Sequence, residues 1–277
     1  MVHEHPGFSG TTAVITGAAS GIGAGLARHG ASLGMRLVLA DIDEDRLADV
    51  VAGLPTTAEV LAVPTDVTSA AAVEQLAARA YAELGPVRLL FNNAGIETTG
   101  PLWALTPERW DQMMQVNVSG VVHGITAFVP RMLADGRPAG IVNTSSVGGL
   151  SVGPFQGAYC ATKFAVQALT ECLHMELAAQ GAPITVSVVN PGPVATEIFE
   201  DAVALEGAPG TDSYRATMRA LLRDQGISPD EAAAVIFDGV ADGRFWIFPH
   251  PEMVADAVTR RADAIRNQEP PTPRRPA

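Results

Sequence analysis

Tyr159 and Lys163 stand four positions apart, and Ser146 lies shortly before them. A helix sets positions i and i+4 on one face, so a helix beginning near Gly157 brings the phenol and the amine together. A tyrosine hydroxyl with a pKa near 10 is a poor base at neutral pH. An ammonium ~4 Å away, at an effective dielectric near 20, favours the phenolate by roughly 4 kcal/mol before desolvation is counted. That is about three pKa units, enough to make the tyrosine a working acid–base. A chance pair on a helix surface is the competing reading, and the choice turns on whether the chain also provides a cofactor site.

The run Thr12–Thr16 reads as a short strand and meets Gly17-Ala18-Ala19-Ser20-Gly21-Ile22-Gly23, after which Ala24–Leu33 reads as helix. Strand, glycine loop and helix in that order make a dinucleotide site: glycines admit a pyrophosphate to the backbone, and the helix N-terminus offers free N–H groups. The spacing is Gly-x-x-x-Gly-x-Gly rather than the Gly-x-Gly-x-x-Gly of the longer dinucleotide fingerprint. A second strand, Arg36–Ala40, ends on Asp41-Ile42. A carboxylate at that tip binds both ribose hydroxyls and repels a 2′-phosphate, which favours NAD over NADP. Asp43 is the expected N-cap of the next helix, and no basic residue follows Asp41 before Arg46.

Further strands carry further candidates. Asp66-Val67, after Val60–Val63, are expected beside an adenine ring. Val87–Phe91 leads into Asn92-Asn93-Ala94-Gly95, whose small residues suit close backbone packing or a mere turn. Gly140–Asn143 delivers Thr144-Ser145-Ser146. Ile184–Val189 is followed by Pro191-Gly192-Pro193-Val194-Ala195-Thr196, in which Thr196 is a candidate phosphate contact. Thr106-Pro107 opens a long helix expected to run to about Ala134 with Asn117 near its middle, where an Asn more often satisfies a neighbouring backbone group. His123 and His174 read as packing or surface residues, and no spaced ligand set suggests a metal. Residues 197–225 read as an irregular lid over a substrate. Ser228-Pro229-Asp230-Glu231 is a capping box opening a helix to about Ala241, and a seventh strand, Phe245–Phe248, precedes a final helix.

The elements alternate strand and helix throughout, which implies an α/β fold with a parallel sheet covered by helices on both faces and ligands at the carboxyl ends of the strands. Residues 9–266 form the expected dinucleotide-binding and catalytic domain, between a flexible 1–8 and a disordered Pro-rich tail, 267–277. With 18 basic against 30 acidic residues and no Lys/Arg run, a nucleic-acid surface is not expected. No apolar stretch approaches the ~20 residues of a membrane helix, and the N-terminus does not read as a signal peptide. Cys160 and Cys172 sit too far apart on one helix to bridge, which fits a reducing cytoplasm.

These motifs, in this order, resemble the short-chain dehydrogenase/reductase family over almost the whole chain. The resemblance rests on Thr16–Gly23, Asp66, Asn92-Asn93-Ala94-Gly95, Asn117, Ser146, Tyr159, Lys163 and Pro191-Gly192. It implies an α/β, single-domain doubly wound (Rossmann) fold with a seven-stranded parallel sheet flanked by helices, and a catalytic tetrad of Asn117, Ser146, Tyr159 and Lys163, with Asn117 holding a water that links Lys163 to solvent. It also implies a homodimer or homotetramer formed through helices 107–134 and 158–180. The expected reaction is interconversion of a secondary alcohol and a ketone. Phe155, Gln156, Leu150, Val152 and Val194 with the lid suggest a largely apolar substrate pocket. Phe128–Met132 and Phe248–Glu252 look like stretches of bacterial NAD-dependent dehydrogenases of aryl secondary alcohols. Hydroxysteroid-type and other alicyclic alcohols stay open as substrates, and a silent dinucleotide-binding protein or a sugar-nucleotide epimerase as functions.

Overall fold

The structure, a computed structural model, describes residues 7–205 and 208–272. Strand β1 (Thr12–Thr16) is buried at all five positions, as a central strand covered on both faces must be. Its side chains alternate between two cores. Ile15 joins Leu37 and Leu39 of β2 (Arg36–Asp41) on one face, while Val14 joins Val38 and Ala40 on the other. The first core is covered by α1 (Gly21–Ser32) and α8 (Pro229–Ala241), which contribute Leu26, Ile236 and Phe237. The second is covered by α3 (Ala70–Glu83), α5 (Gly120–Asp135) and α6 (Gly157–Ala179), through residues such as Leu76, Phe128 and Leu173.

The remaining main strands are β3 (Val60–Pro64), β4 (Val87–Asn92), β6 (Ala139–Thr144), β7 (Ile184–Val189) and β9 (Trp246–Ile247). All seven pair in parallel in the order β3-β2-β1-β4-β6-β7-β9. The fold class expected from the alternation is therefore the one found. The order reverses direction between β1 and β4, and a crevice opens there at the carboxyl ends of the strands.

Three local expectations need correction. The helix begun by Thr106 is α4 (Pro107–Met114), and it passes through a π turn at Gln115–Ser119 before continuing as α5. Asn117 lies inside that turn, where the wider winding re-aims side chains. The segment 197–225 is not irregular: Val203–Ala204 (β8) pairs in parallel with Thr98–Thr99 (β5), and Thr211–Gln225 forms helix α7. Tyr214, Met218 and Leu222 recur at four-residue spacing and pack on Phe199 and Ala202, which gives α7 its apolar face. Finally, Phe8 does not belong to a flexible terminus, because its ring packs edge-on against Phe237 at 5.5 Å. Residues 1–6 and 273–277 lie outside the described residues; α9 (Pro251–Arg266) ends before the expected tail, as read.

Candidate active site

The loop between β1 and α1 is shaped by close approach. Gly17 holds a left-handed φ of 66°, and a Cβ there would stand 2.7 Å from the Cα of Ala94. Any side chain at Gly23 would overlap the carbonyl oxygen of Gly17. Gly23 therefore packs the start of α1 under the loop and is not on the cleft wall, whereas Gly17, Ser20, Gly21 and Ile22 are. Ser20 makes no side-chain cap to α1, so the first N–H groups of that helix remain available to an anion.

Asn93 and Ala94 are tied to this loop through Thr16, whose Oγ1 accepts from both backbone N–H groups at 3.0 and 3.2 Å. The Asn93 amide also donates to the carbonyl of Thr16 at 3.1 Å. Asp41 Oδ2 accepts from Ala19 N at 2.9 Å and Oδ1 from Asp43 N at 3.1 Å. An ionised carboxylate has about four acceptor sites, so two remain for ribose hydroxyls. Ile42, Asp66, Val67, Gly95, Pro191, Gly192, Val194 and Thr196 line the same cleft of about 1460 Å³. His250 Nδ1 accepts the N–H of Gly192 at 3.1 Å, and burial pulls its pKa down, in keeping with a neutral acceptor. Glycine loop, free helix terminus and strand-tip carboxylate together fit a dinucleotide.

On the opposite wall stand Ser146, Tyr159 and Lys163. Both of the latter are buried on α6, with Lys163 Nζ 5.5 Å from the centroid of the Tyr159 ring. Lys163 donates to the Thr144 carbonyl at 3.0 Å, leaving two of its three donors unassigned. Ser146 Oγ accepts from Gly148 N at 3.0 Å, and its own proton is directed at the Tyr159 oxygen. The electrostatics correct the simple Coulomb expectation. Burial raises the Tyr159 pKa, and nearby Glu97 raises it further; a hydrogen bond from Ser146 pulls it down. Burial pushes the Lys163 ammonium down to about 8, opposed by Glu97. Desolvation is the largest influence on both groups.

Asn117 does not reach the cleft wall. Its Oδ1 accepts from Ile96 N at 2.8 Å, and its Nδ2 donates to Ile96 O at 3.0 Å and to Thr162 Oγ1 at 3.1 Å. The side chain satisfies a neighbouring backbone and leaves little capacity to hold a water. Phe155, Gln156, Val152 and Val194 line the cleft, but Leu150 does not. Nor is the pocket simply apolar. Glu97, which no motif marks, is only 3% exposed and accepts from Gln156 Nε2 at 3.1 Å. Burial pushes its carboxyl up to about 8, against the pull of Gln156, Lys163 and the Thr98 N–H. Tyr214 of α7 stacks on Phe155 at 5.2 Å and completes that end of the cleft. Phe155 itself carries a φ of 64°, a strained value for an aromatic residue.

A family model described as short chain dehydrogenase matches residues 11–206. The chain is 38% identical over 260 residues to a 1-deoxy-11-beta-hydroxypentalenate dehydrogenase of Streptomyces avermitilis, covering 93% of this chain and 89% of that protein. It is 33% identical over 267 residues to a C alpha-dehydrogenase of a Sphingobium species, covering 93% of this chain and 86% of that one. A crystal structure of a short-chain dehydrogenase/reductase from Burkholderia phymatum in complex with NAD superposes with a TM-score of 0.90 at 38% identity, over 98% of this chain and 99% of that one. With the sheet order, the glycine loop and the Ser146, Tyr159 and Lys163 wall all on one cleft, the chain belongs to the short-chain dehydrogenase/reductase family and is an oxidoreductase of alcohols and ketones.

Proposed function

We propose that the protein interconverts a bulky, mainly apolar secondary alcohol and its ketone using NAD(H), with Tyr159 as acid–base. The observation that carries this reading is that Ser146, Tyr159 and Lys163 share one cleft with the glycine loop and Asp41. The nicotinamide of a bound NAD would supply the hydride acceptor in oxidation and the donor in reduction.

The protein's own groups do the rest. In reduction the Tyr159 phenol, which burial keeps protonated, gives its proton to the substrate oxygen; in oxidation the phenolate takes the proton of the substrate hydroxyl. Ser146, its acceptor side already engaged by Gly148, donates to the substrate oxygen, a bond that strengthens as alkoxide character develops. Lys163 uses one donor on Thr144 and has two for the Tyr159 oxygen and the ribose hydroxyls. Asn117 acts as a positioning residue: it fixes Ile96, beside Gly95, which lies next to Lys163 Nζ.

NAD is favoured over NADP by charge. The only cation lining the adenosine end, among the described residues, is Arg46, which is already held by Asp43, Glu197 and Asp201. A 2′-phosphate placed near Asp41 would meet several carboxylates, and such like-charge contacts cost several kcal/mol. The Burkholderia structure with NAD supports the same choice. The Streptomyces and Sphingobium dehydrogenases, together with Phe155, Val152 and Val194 on the wall, favour a bulky secondary alcohol over a sugar. Lid residues 197–225 cover the substrate. The protein works in the cytoplasm; no helix among the described residues is long and apolar enough to cross a membrane. A thiol titration in cell extract that found Cys160 and Cys172 oxidised would contradict that compartment.

The test is NADH absorbance with a panel of 1-phenylethanol, 1-indanol, cyclohexanol, 2-decalol and a 3-hydroxysteroid, each with NAD and NADP. At least one ring alcohol is expected to be oxidised, with kcat/KM about tenfold or more higher for NAD, as charge repulsion at Asp41 requires. No hydride transfer with any alcohol, or a preference for NADP, contradicts the reading.

A further inference from the structure

The carboxyl of Glu97 is the one buried acid on the cleft wall with no part in the chemistry above. Its Oε2 accepts from Gln156 and the Thr98 N–H lies close to the carboxyl, but Oε1 is buried with no hydrogen bond of its own. An orphaned buried carboxyl oxygen costs about 1–3 kcal/mol or more, so its place beside a ligand cleft asks for a partner that arrives with the ligand. Two segments far apart in sequence build this corner. The Gly100 N–H donates to the Phe155 carbonyl at 2.9 Å, and Gly100 bridges Gln156, which brings the Glu97–Gly100 stretch against the N-terminus of α6. The lid closes the third side: β8 pairs with β5 immediately after Glu97, and Tyr214 of α7 lies within electrostatic reach of the carboxyl. The corner therefore combines a carboxyl, a primary amide and a phenol at the edge of an otherwise apolar pocket.

We propose that Glu97 is a specificity-determining residue that binds a second hydroxyl group on the substrate, so that the preferred substrates are diols or hydroxy ketones on an apolar frame. The inference rests on the reading of the cleft as an alcohol–ketone site. A hydroxyl is the group that suits this corner, because it accepts from Oε1 when the acid is protonated and donates to it when the acid is ionised. Lys163 and Tyr159 on α6, Cys160 beside them and Tyr214 on α7 are the titratable groups that face the carboxyl, and none is hydrogen-bonded to Oε1. A site built around a hydrogen bond rejects the analogue that lacks its partner far more strongly than an apolar pocket rejects a missing methylene.

The test compares kcat/KM for each panel alcohol that the wild type oxidises with that of its hydroxylated partners. Cyclohexanol is set against 1,2-, 1,3- and 1,4-cyclohexanediol, and 1-phenylethanol against 1-phenyl-1,2-ethanediol and the ring-hydroxylated 1-phenylethanols. Decalol, indanol and the steroid are paired in the same way. For at least one pair, the wild type is expected to favour the diol by about tenfold or more, expressed mainly in KM. Glu97→Leu should bring that ratio towards unity, while Glu97→Gln, which keeps one acceptor for Gln156 and one donor, should retain most of it. A wild-type ratio near unity in every pair, or a ratio that survives in Glu97→Leu, overturns the proposal while leaving the oxidoreductase reading intact. If both members of each pair fall equally in Glu97→Leu, the residue has only a general role and the proposal is likewise overturned. If the wild type oxidises no alcohol of either kind, the reading of the cleft fails and this inference fails with it.

Discussion

A buried acid whose proton is held up to about pH 8 makes folding itself depend on pH, and Glu97 is such a group. Between the ordinary carboxyl value of 4.5 and about 8, the unfolded chain has released this proton and the folded chain has kept it. Rising pH then favours unfolding: the contribution is fully present below 4.5 and is lost as pH climbs through about 8. Glu97→Gln removes that titration. The unfolding free energy of the variant, measured by urea denaturation at steps from pH 5 to 8, should gain steadily on the wild type; parallel curves would contradict the burial argument. Ser146, Tyr159 and Lys163 could be read from residue type and spacing because two of them share one helix and the third follows the end of the strand before it. Glu97 could not, since a lone carboxylate has no periodic partner and its corner exists only once Gly100 has met Gln156. Tyr159 is a related case: Coulomb attraction follows from spacing, but the desolvation that opposes it depends on packing.

Among elements, the lid shows how a local signal can hide another. Gly207, Pro209 and Gly210 read as a loop, yet directly after them the Tyr214, Met218 and Leu222 spacing specifies α7. The lid is stapled internally, with Arg215 donating to the carbonyls of Phe199 and Glu200, and Arg219 paired with Glu200. Among the described residues, its one ionic link to the cofactor side is Arg46 of α2 (Glu44–Ala52), which reaches Glu197 and Asp201 at 3.2 Å each. All three side chains are about half exposed, and surface pairs of this kind contribute about 0–1 kcal/mol. Arg46→Ala should therefore leave the melting temperature within a few degrees of wild type, about what such an energy shifts. Local opening is another matter, because lids draw on the low-stability end of a fold. Deuterium uptake in peptides spanning 197–205 should rise in the variant, and unchanged uptake would show that Arg46 does not hold the lid. The π turn at Gln115–Ser119 had no legible signal, as Val-Asn-Val continues a helical pattern without a breaker.

At the scale of the molecule, a parallel sheet with a reversal between β1 and β4 fixes where chemistry is placed; alternation of strand and helix made the parallel sheet legible, but the strand order that sets the reversal is visible only in the structure. The carboxyl-end rim gathers Asp41, Asp66, Asn93, Ser146 and Thr196 from across the sequence onto one cleft. Assembly is less visible in one chain. We propose a homodimer or homotetramer through α4, α5 and α6, whose outer faces keep Trp110 and Met175 exposed; light scattering that gave a monomer mass would contradict it. All of these arrangements serve one phenol, and substituting it separates binding from chemistry. In Tyr159→Phe, NAD affinity by fluorescence titration should stay close to wild type while turnover of the best panel alcohol falls by ~10² or more, the usual loss when an acid–base group is removed. A variant that binds NAD and turns over at the wild-type rate would contradict the assignment of Tyr159 as the acid–base.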